Sequence, residues 1–196
     1  KITMAEALTR TAERFPDRLA FIYMGTKITY RQLEKMVNRF TRALVDLGVR
    51  EGDKVAMLLP NIPQLMIADH AVYRAGAVTA MNNPLYTERE LTNQLADSDA
   101  TVLVTLDLLL PRALKIRGET SIRTIITCHI NDYLPFPKKQ LFPFVKKGMH
   151  RKVEPQSDVY EFMDLMARYP DTPVENKAGW DALAALIYTG GTTGVS

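Results

Sequence analysis

Short apolar runs alternate with amphipathic stretches of helical period along most of this chain of 196 residues. "VAMLL", "AVTAMN", "TVLVT" and "IRTIITC" are too continuously apolar to have one face in water. Runs of that kind belong to strands buried on both faces. Helical segments between such strands bring each chain crossing back over the sheet in right-handed βαβ units. The expected fold class is therefore α/β, a mostly parallel sheet flanked by helices.

Local signals place the helices. Thr3 with Glu6, Thr29 with Gln32 and Thr87 with Glu90 have the spacing of capping boxes. The first helix presents Met4, Leu8, Ala12 and Phe15 before Pro16 stops it, and "LAFIYMGTKITY" reads as a hairpin around Gly25. Leu33, Met36, Phe40, Leu44 and Leu47 line a second helix, with Gly48 where a left-handed cap belongs. A third runs from Pro63 to Ala75 and closes at Gly76. "LDLLLPRALKIR" reads as a helix kinked or split at Pro111, and a short helix is expected from Val159 to Arg168.

The alternation breaks over residues 131–158, which hold four prolines and three phenylalanines. Between Phe136 and Lys152 lie Lys138, Lys139, Lys146, Lys147, Arg151 and Lys152, with no acid among them. Removing those six takes the formal charge of the chain from +3 to −3. A chain that is mildly acidic outside one segment is not a nucleic-acid binder. The basic, aromatic segment suits contact with an anionic membrane surface through residues 136–152. The favoured reading is plainer: a solvated loop whose aromatics dock on the domain, since its prolines forbid a continuous amphipathic helix.

The remaining chemistry-bearing residues are few. Cys128 ends an apolar run, where a thiol is structural, and its neighbour His129 points to the opposite strand face. A single thiol fits a reducing compartment. His70, in a mostly apolar helix, is expected to be packed or at a rim, and His150, within the basic run, to be solvated. No apolar run reaches the 18 or so residues that a membrane span needs, and no secretory h-region is visible after Lys1.

One motif remains. "LIYTGGTTGVS" is an apolar run opening into glycines and threonines. Gly190, Gly191 and Gly194 would let backbone N–H groups approach a phosphate closely, and Thr189, Thr192 and Thr193 would add hydroxyl donors. The spacing matches neither a Walker A loop, which needs Gly-Lys-Ser/Thr at a position held here by Val195 or Ser196, nor a dinucleotide loop, which needs glycine where Thr193 stands.

"YTGGTTG" resembles instead the phosphate signature of the adenylate-forming superfamily of acyl-CoA synthetases, luciferases and peptide-synthetase adenylation domains. Gly190 replaces the serine usual there, and Ser196 stands where proline is common. The superfamily's lysine would be the next residue. "TYRQLEKMVNRFTRALVDLGVREGDKVAMLLPN" and "YRAGAVTAMNNPLYTERELTNQLADSDATVLVT" are similar to its upstream elements, and "NPLYTERELTNQLADSDA" looks most like long-chain fatty acid–CoA ligases.

The resemblance implies that residues 1–196 are an incomplete N-terminal, AMP-binding domain with an insertion-like segment at 131–158, the C-terminal domain being absent. It implies ATP-dependent activation of a fatty acid to acyl-AMP and then acyl-CoA, with ATP, Mg²⁺ and coenzyme A, in a cytoplasmic protein that is at most peripheral at the inner membrane face. The ATP phosphates fall to Thr189, Gly190, Gly191, Thr192, Thr193 and Gly194; no catalytic residue and no metal ligand is expected in this stretch. Asn82, Asn83, Pro84 and Tyr86 match a motif read as structural, at the flank of an acyl pocket. A sheet cut short leaves apolar edges, so the isolated stretch is expected to self-associate. It is expected to be inactive because the resemblance puts the motifs for adenine, ribose and metal and the catalytic lysine beyond Ser196. Two other readings stay open: an aryl, amino or short-chain acid ligase of the same superfamily, and a non-catalytic nucleotide-binding or interaction module.

Overall fold

The computed structural model describes residues 1–188. Among them a six-stranded, wholly parallel sheet forms the centre. In chain order its strands are β3 (Lys54–Leu58), β4 (Val78–Met81), β5 (Val102–Leu106), β6 (Thr124–Cys128), β7 (Val159–Glu161) and β8 (Ala185–Ile187). In space they run β7-β6-β5-β3-β4-β8. One row of partners, Ile187, Met81, Met57, Val104, Ile126 and Tyr160, crosses the sheet from edge to edge. The hairpin β1 (Leu19–Tyr23) and β2 (Thr26–Thr29) is separate and antiparallel.

Alternation along each strand sorts the core into two layers. Val55, Met57, Val102, Val104 and Ile126 face α1 (Met4–Arg14), α2 (Tyr30–Asp46), α3 (Pro63–Arg74) and α7 (Phe162–Arg168). Ala56, Leu58, Leu103 and Ile125 face α4 (Glu88–Ser98) and α5 (Leu110–Ile116). A side-chain period of two in strands buried on both faces gives this result, and accounts for the unbroken apolar runs. Phe40 of α2 meets Phe162 of α7 at 4.5 Å between ring centroids, fastening the last helix to that layer.

All three capping boxes form, with Thr3, Thr29 and Thr87 each accepting from the third helical N–H. Gly48 and Gly76 have φ of +98° and +75°, conformations that side chains with a Cβ resist. At Gly76 a Cβ would also sit 3.2 Å from Glu51, so the turn into β4 requires glycine.

Four local readings are corrected. Pro111 opens α5 instead of kinking it, because a residue without N–H and with fixed φ suits the first turn. Residues 159–161 are a strand, since the free edge of β6 offers a ladder, and α7 begins only at Phe162. Ala5, Leu8 and Ala12 form the buried stripe of α1, with Met4 and Phe15 exposed. The basic segment is not a plain loop with docked aromatics, though its prolines keep the helix within it short. α6 (Lys138–Val145) carries Pro143 within it, and of the three aromatics only Phe142 docks, while Phe136 and Phe144 face solvent.

Candidate functional site

The topology has a switch point. From β3 the chain crosses through α3 to β4 on one side, then passes back to β5 and continues outward to β6 and β7. In open parallel sheets ligands sit beyond the carboxyl ends of the strands, near such reversals. Two features of this chain lie on that edge.

The first is the exit of β8. Its pairing of Leu186 with Ala80 and Ile187 with Met81 brings Tyr188 to the carboxyl edge. Tyr188 is anchored there: its hydroxyl donates to Asp97 Oδ2 at 2.9 Å and Gln94 O at 3.3 Å on α4. Burial, and then the Asp97 carboxylate, push that phenol up to about 12. Thr189, Gly190, Gly191, Thr192, Thr193 and Gly194 follow directly and lie outside the described residues.

What brings β8 to its place is not local. Residues 171–184 run back across the helices: Val174 N donates to Asn38 Oδ1, Lys177 N to Arg74 O, and Asn176 Nδ2 to Thr3 Oγ1. Under this strap Arg74 is almost wholly buried. Its guanidinium donates to Asn38 Oδ1 (2.5 Å), Glu34 Oε2 (2.8 Å) and Thr9 Oγ1 (3.0 Å), so one cation joins α1, α2 and α3. A lone arginine ending an apolar helix was the only sequence signal for this network.

The second feature is a cluster that no motif announces. Asp107 follows β5, His129 follows β6 and Glu161 ends β7. His129 Nδ1 lies 2.9 Å from Asp107 Oδ2 and its Nε2 lies 3.3 Å from Glu161 Oε2. Asp107 is fully buried and also accepts from Leu108 N (2.9 Å) and Arg151 N (2.6 Å). Asp132 Oδ2 accepts from His129 N and from Gln64 Nε2, both at 2.9 Å, tying in the start of α3.

His150, expected in solvent, is instead half-buried with its ring 4.7 Å from that of His129. The Arg151 N–H bond to Asp107 pulls it inward. Atoms of Asp107, His129 and His150 lie within 4.8 Å of one another, within reach of a single cation. Asp107 already has donors on both oxygens, so the cluster works as a clasp between three strand ends and the basic segment. β6 stands four strand spacings from β8, about 19 Å, so the clasp and the end of β8 are separate features of this edge.

Burial opposes charging His129, yet Asp107, Asp132 and Glu161 outweigh it and hold its pKa above the ordinary value. A raised histidine pKa stabilises fully below the unfolded value near 6.5, and that stabilisation is lost as pH rises through the folded value. His129→Gln is therefore expected to destabilise more at pH 6 than at pH 9. The gap is about 1 kcal/mol, the difference between charge-assisted and neutral hydrogen bonds. Urea unfolding of both proteins at the two pH values measures it; an equal loss at both would show a neutral ring.

The other candidates take structural places. Cys128 is fully buried, its thiol pushed well up by burial first and by Asp132 and Asp107 next, which makes it a poor nucleophile. His70 is half-buried, as expected, and burial holds its pKa down. Asn82 bonds Ala80 O, Asn83 caps the N–H of Leu85, and Arg112 holds the carbonyls of Pro84 and Tyr86. Apolar cavities of about 470 Å³ beside Met36, Tyr133 and Met166, and of about 290 Å³ beside Phe21, Leu65 and Met81, contain no paired nucleophile and base.

A doubly wound parallel sheet with its topological switch point at the carboxyl edge defines a class, the α/β domains that seat ligands at their strand ends. Comparison with known proteins makes the assignment specific. The family model described as AMP-binding enzyme matches residues 8–196, and the chain belongs to that family. Long-chain-fatty-acid–CoA ligases are similar to it: that of Bacillus subtilis (strain 168) is 36% identical over 98% of this chain and 35% of the relative. That of Salmonella typhimurium is 34% identical over 99% and 35%. The chain thus spans about a third of the length of these relatives. Among solved structures, the anthranilate CoA ligase AuaEII in complex with anthranoyl-AMP matches with a TM-score of 0.81 at 23% identity, over 98% of this chain and 33% of that one. A long-chain-fatty-acid-CoA ligase from Archaeoglobus fulgidus matches at 0.75 and 20%, over 97% and 35%. Those likenesses support the fold.

Proposed function

We propose that the intact protein activates a long-chain fatty acid in two steps, first to acyl-AMP and then to acyl-CoA. The observation that carries this reading is the whole-chain similarity to long-chain-fatty-acid–CoA ligases together with the exit of β8 toward the carboxyl edge. A carboxylate is a poor acyl donor because oxide would have to leave. Attack of the carboxylate oxygen on the α-phosphorus of ATP forms a C–O–P anhydride and expels pyrophosphate. Attack of the coenzyme A thiol on that anhydride then forms the thioester and releases AMP.

ATP enters as its Mg²⁺ complex, the metal offsetting phosphate charge. Thr189, Gly190, Gly191, Thr192, Thr193 and Gly194 hold the β- and γ-phosphates, so that pyrophosphate is aligned to depart. Their contribution is positioning and charge stabilisation. No general base is needed for the first step, since the acid is already ionised at neutral pH.

The two halves of this reading are tested together. ATP–pyrophosphate exchange dependent on a long-chain acid is expected from the intact protein, and none from residues 1–196 alone. Exchange at comparable rates by the isolated stretch would overturn the proposed division of labour. An intact protein that exchanges only with aryl or short-chain acids would overturn the substrate class.

A further inference from the structure

Residues 136–152 combine six cations with exposed apolar side chains, and the fold holds both ends of the segment while leaving its middle outside. Asn131 Nδ2 donates to Lys139 O, Phe142 is buried, and Arg151 N donates to Asp107. Between these anchors Phe136 is 84% exposed, Phe144 74%, Val145 71% and Leu141 52%. Leu141, Phe144 and Val145 stand at i, i+3 and i+4 on α6, which places them on one face of that helix. The tip of the β1–β2 hairpin is held alongside, with Thr26 Oγ1 donating to Tyr133 O at 2.6 Å and Met24 exposed.

Lys138, Lys139, Lys146 and Lys147 make no ion pair among the described residues. Such lysines argue against burial under another protein surface, because the cores of protein interfaces are depleted in lysine. They suit an interface in which the apolar atoms and the charges separate by depth. Aromatic rings then rest at the headgroup–acyl boundary while lysine side chains reach up to anionic headgroups.

We propose that Phe136, Leu141, Phe144 and Val145 form an apolar wedge which, with the lysines around it, seats this protein on an anionic lipid bilayer. The clasp at Asp107 fixes the C-terminal end of the wedge to the sheet, so the domain is held at the surface in a defined orientation. The wedge goes beyond the proposed reaction and does not depend on it.

The test is co-sedimentation of the intact protein with phosphatidylcholine vesicles, with and without phosphatidylglycerol. Binding is expected with phosphatidylglycerol only, and loss of it near 1 M salt, where the Debye length shrinks to about 3 Å. Phe136→Ser with Phe144→Ser is expected to lower binding about tenfold or more, with an unchanged melting temperature, and Lys146→Gln with Lys147→Gln to lower it several-fold. An intact protein that stays in the supernatant overturns the proposal, as do serine variants that bind like the parent. A lowered melting temperature in the serine variants also overturns it, because it shows that the rest of the chain covers this face.

Discussion

Replacing Arg74 with methionine is expected to lower the unfolding free energy of the intact protein by about 3–5 kcal/mol, the range for breaking a buried ion pair from one side. The substitution keeps most of the volume but strands Glu34 Oε2 and takes one donor each from Asn38 Oδ1 and Thr9 Oγ1, all of which lie at 2.5–3.0 Å from the guanidinium. Lysine cannot restore the network, since a single ammonium cannot reach three acceptors spread across the guanidinium fork. Removing the partner as well, in Arg74→Met with Glu34→Leu, is expected to recover part of the loss, because the buried charge goes with it. Urea unfolding reads both. A single-variant loss below about 1 kcal/mol would place Arg74 among exposed pairs. The damage should also reach β8, because the strap over Arg74 delivers it, and a weaker strap leaves that strand held only by its pairing with β4 and by the bonds of Tyr188 to α4.

In the intact protein, Thr192→Ala and Thr193→Ala are each expected to slow acid-dependent ATP–pyrophosphate exchange by about 10²- to 10³-fold, the cost of losing one preorganised donor to developing charge. The effect follows from the proposed role of these threonines at the phosphates. A hydroxyl that grips the phosphates more tightly as pyrophosphate departs acts on kcat, while the KM for the fatty acid, which binds elsewhere, should move little. Thr→Ser at either position keeps the hydroxyl and should retain most of the rate. Activities within threefold of the parent for both alanine variants would remove these threonines from phosphate binding.

How much was legible differs from element to element. The apolar runs read as strands buried on both faces, and β3, β5 and β6 are so buried. The capping boxes at Thr3, Thr29 and Thr87 were readable because caps involve atoms three residues apart. The strand β7 was missed, as three half-buried residues carry little pattern until β6 pairs with them. The basic segment was misread for a related reason. The prolines forbid a long helix there, but a short one forms with Pro143 inside it, in a segment held by Asn131 at its start and by the bond of Arg151 to Asp107 at its end.

The candidate sites divide in the same way. The Gly/Thr motif is contiguous, its spacing distinguishes it from Walker A and dinucleotide loops, and together with the upstream stretches it points to the family that residues 8–196 match. The Asp107–His129–Glu161 clasp had no such signal, its members being 22 and 32 residues apart in sequence. From sequence, His129 reads only as the neighbour of a buried cysteine and His150 as a solvated member of the basic run.

By itself the sequence determined what local chemistry can encode: the period that separates strand from helix, the caps, the glycine turns, and the composition of the loop after β8. Tertiary structure alone decided which strand ends became neighbours, that one arginine would bind three helices, and that two phenylalanines would remain in water. Those outcomes depend on groups dozens of residues apart meeting in the low-dielectric interior or being excluded from it. There the cost of an unpaired charge or hydrogen bond far exceeds any local preference.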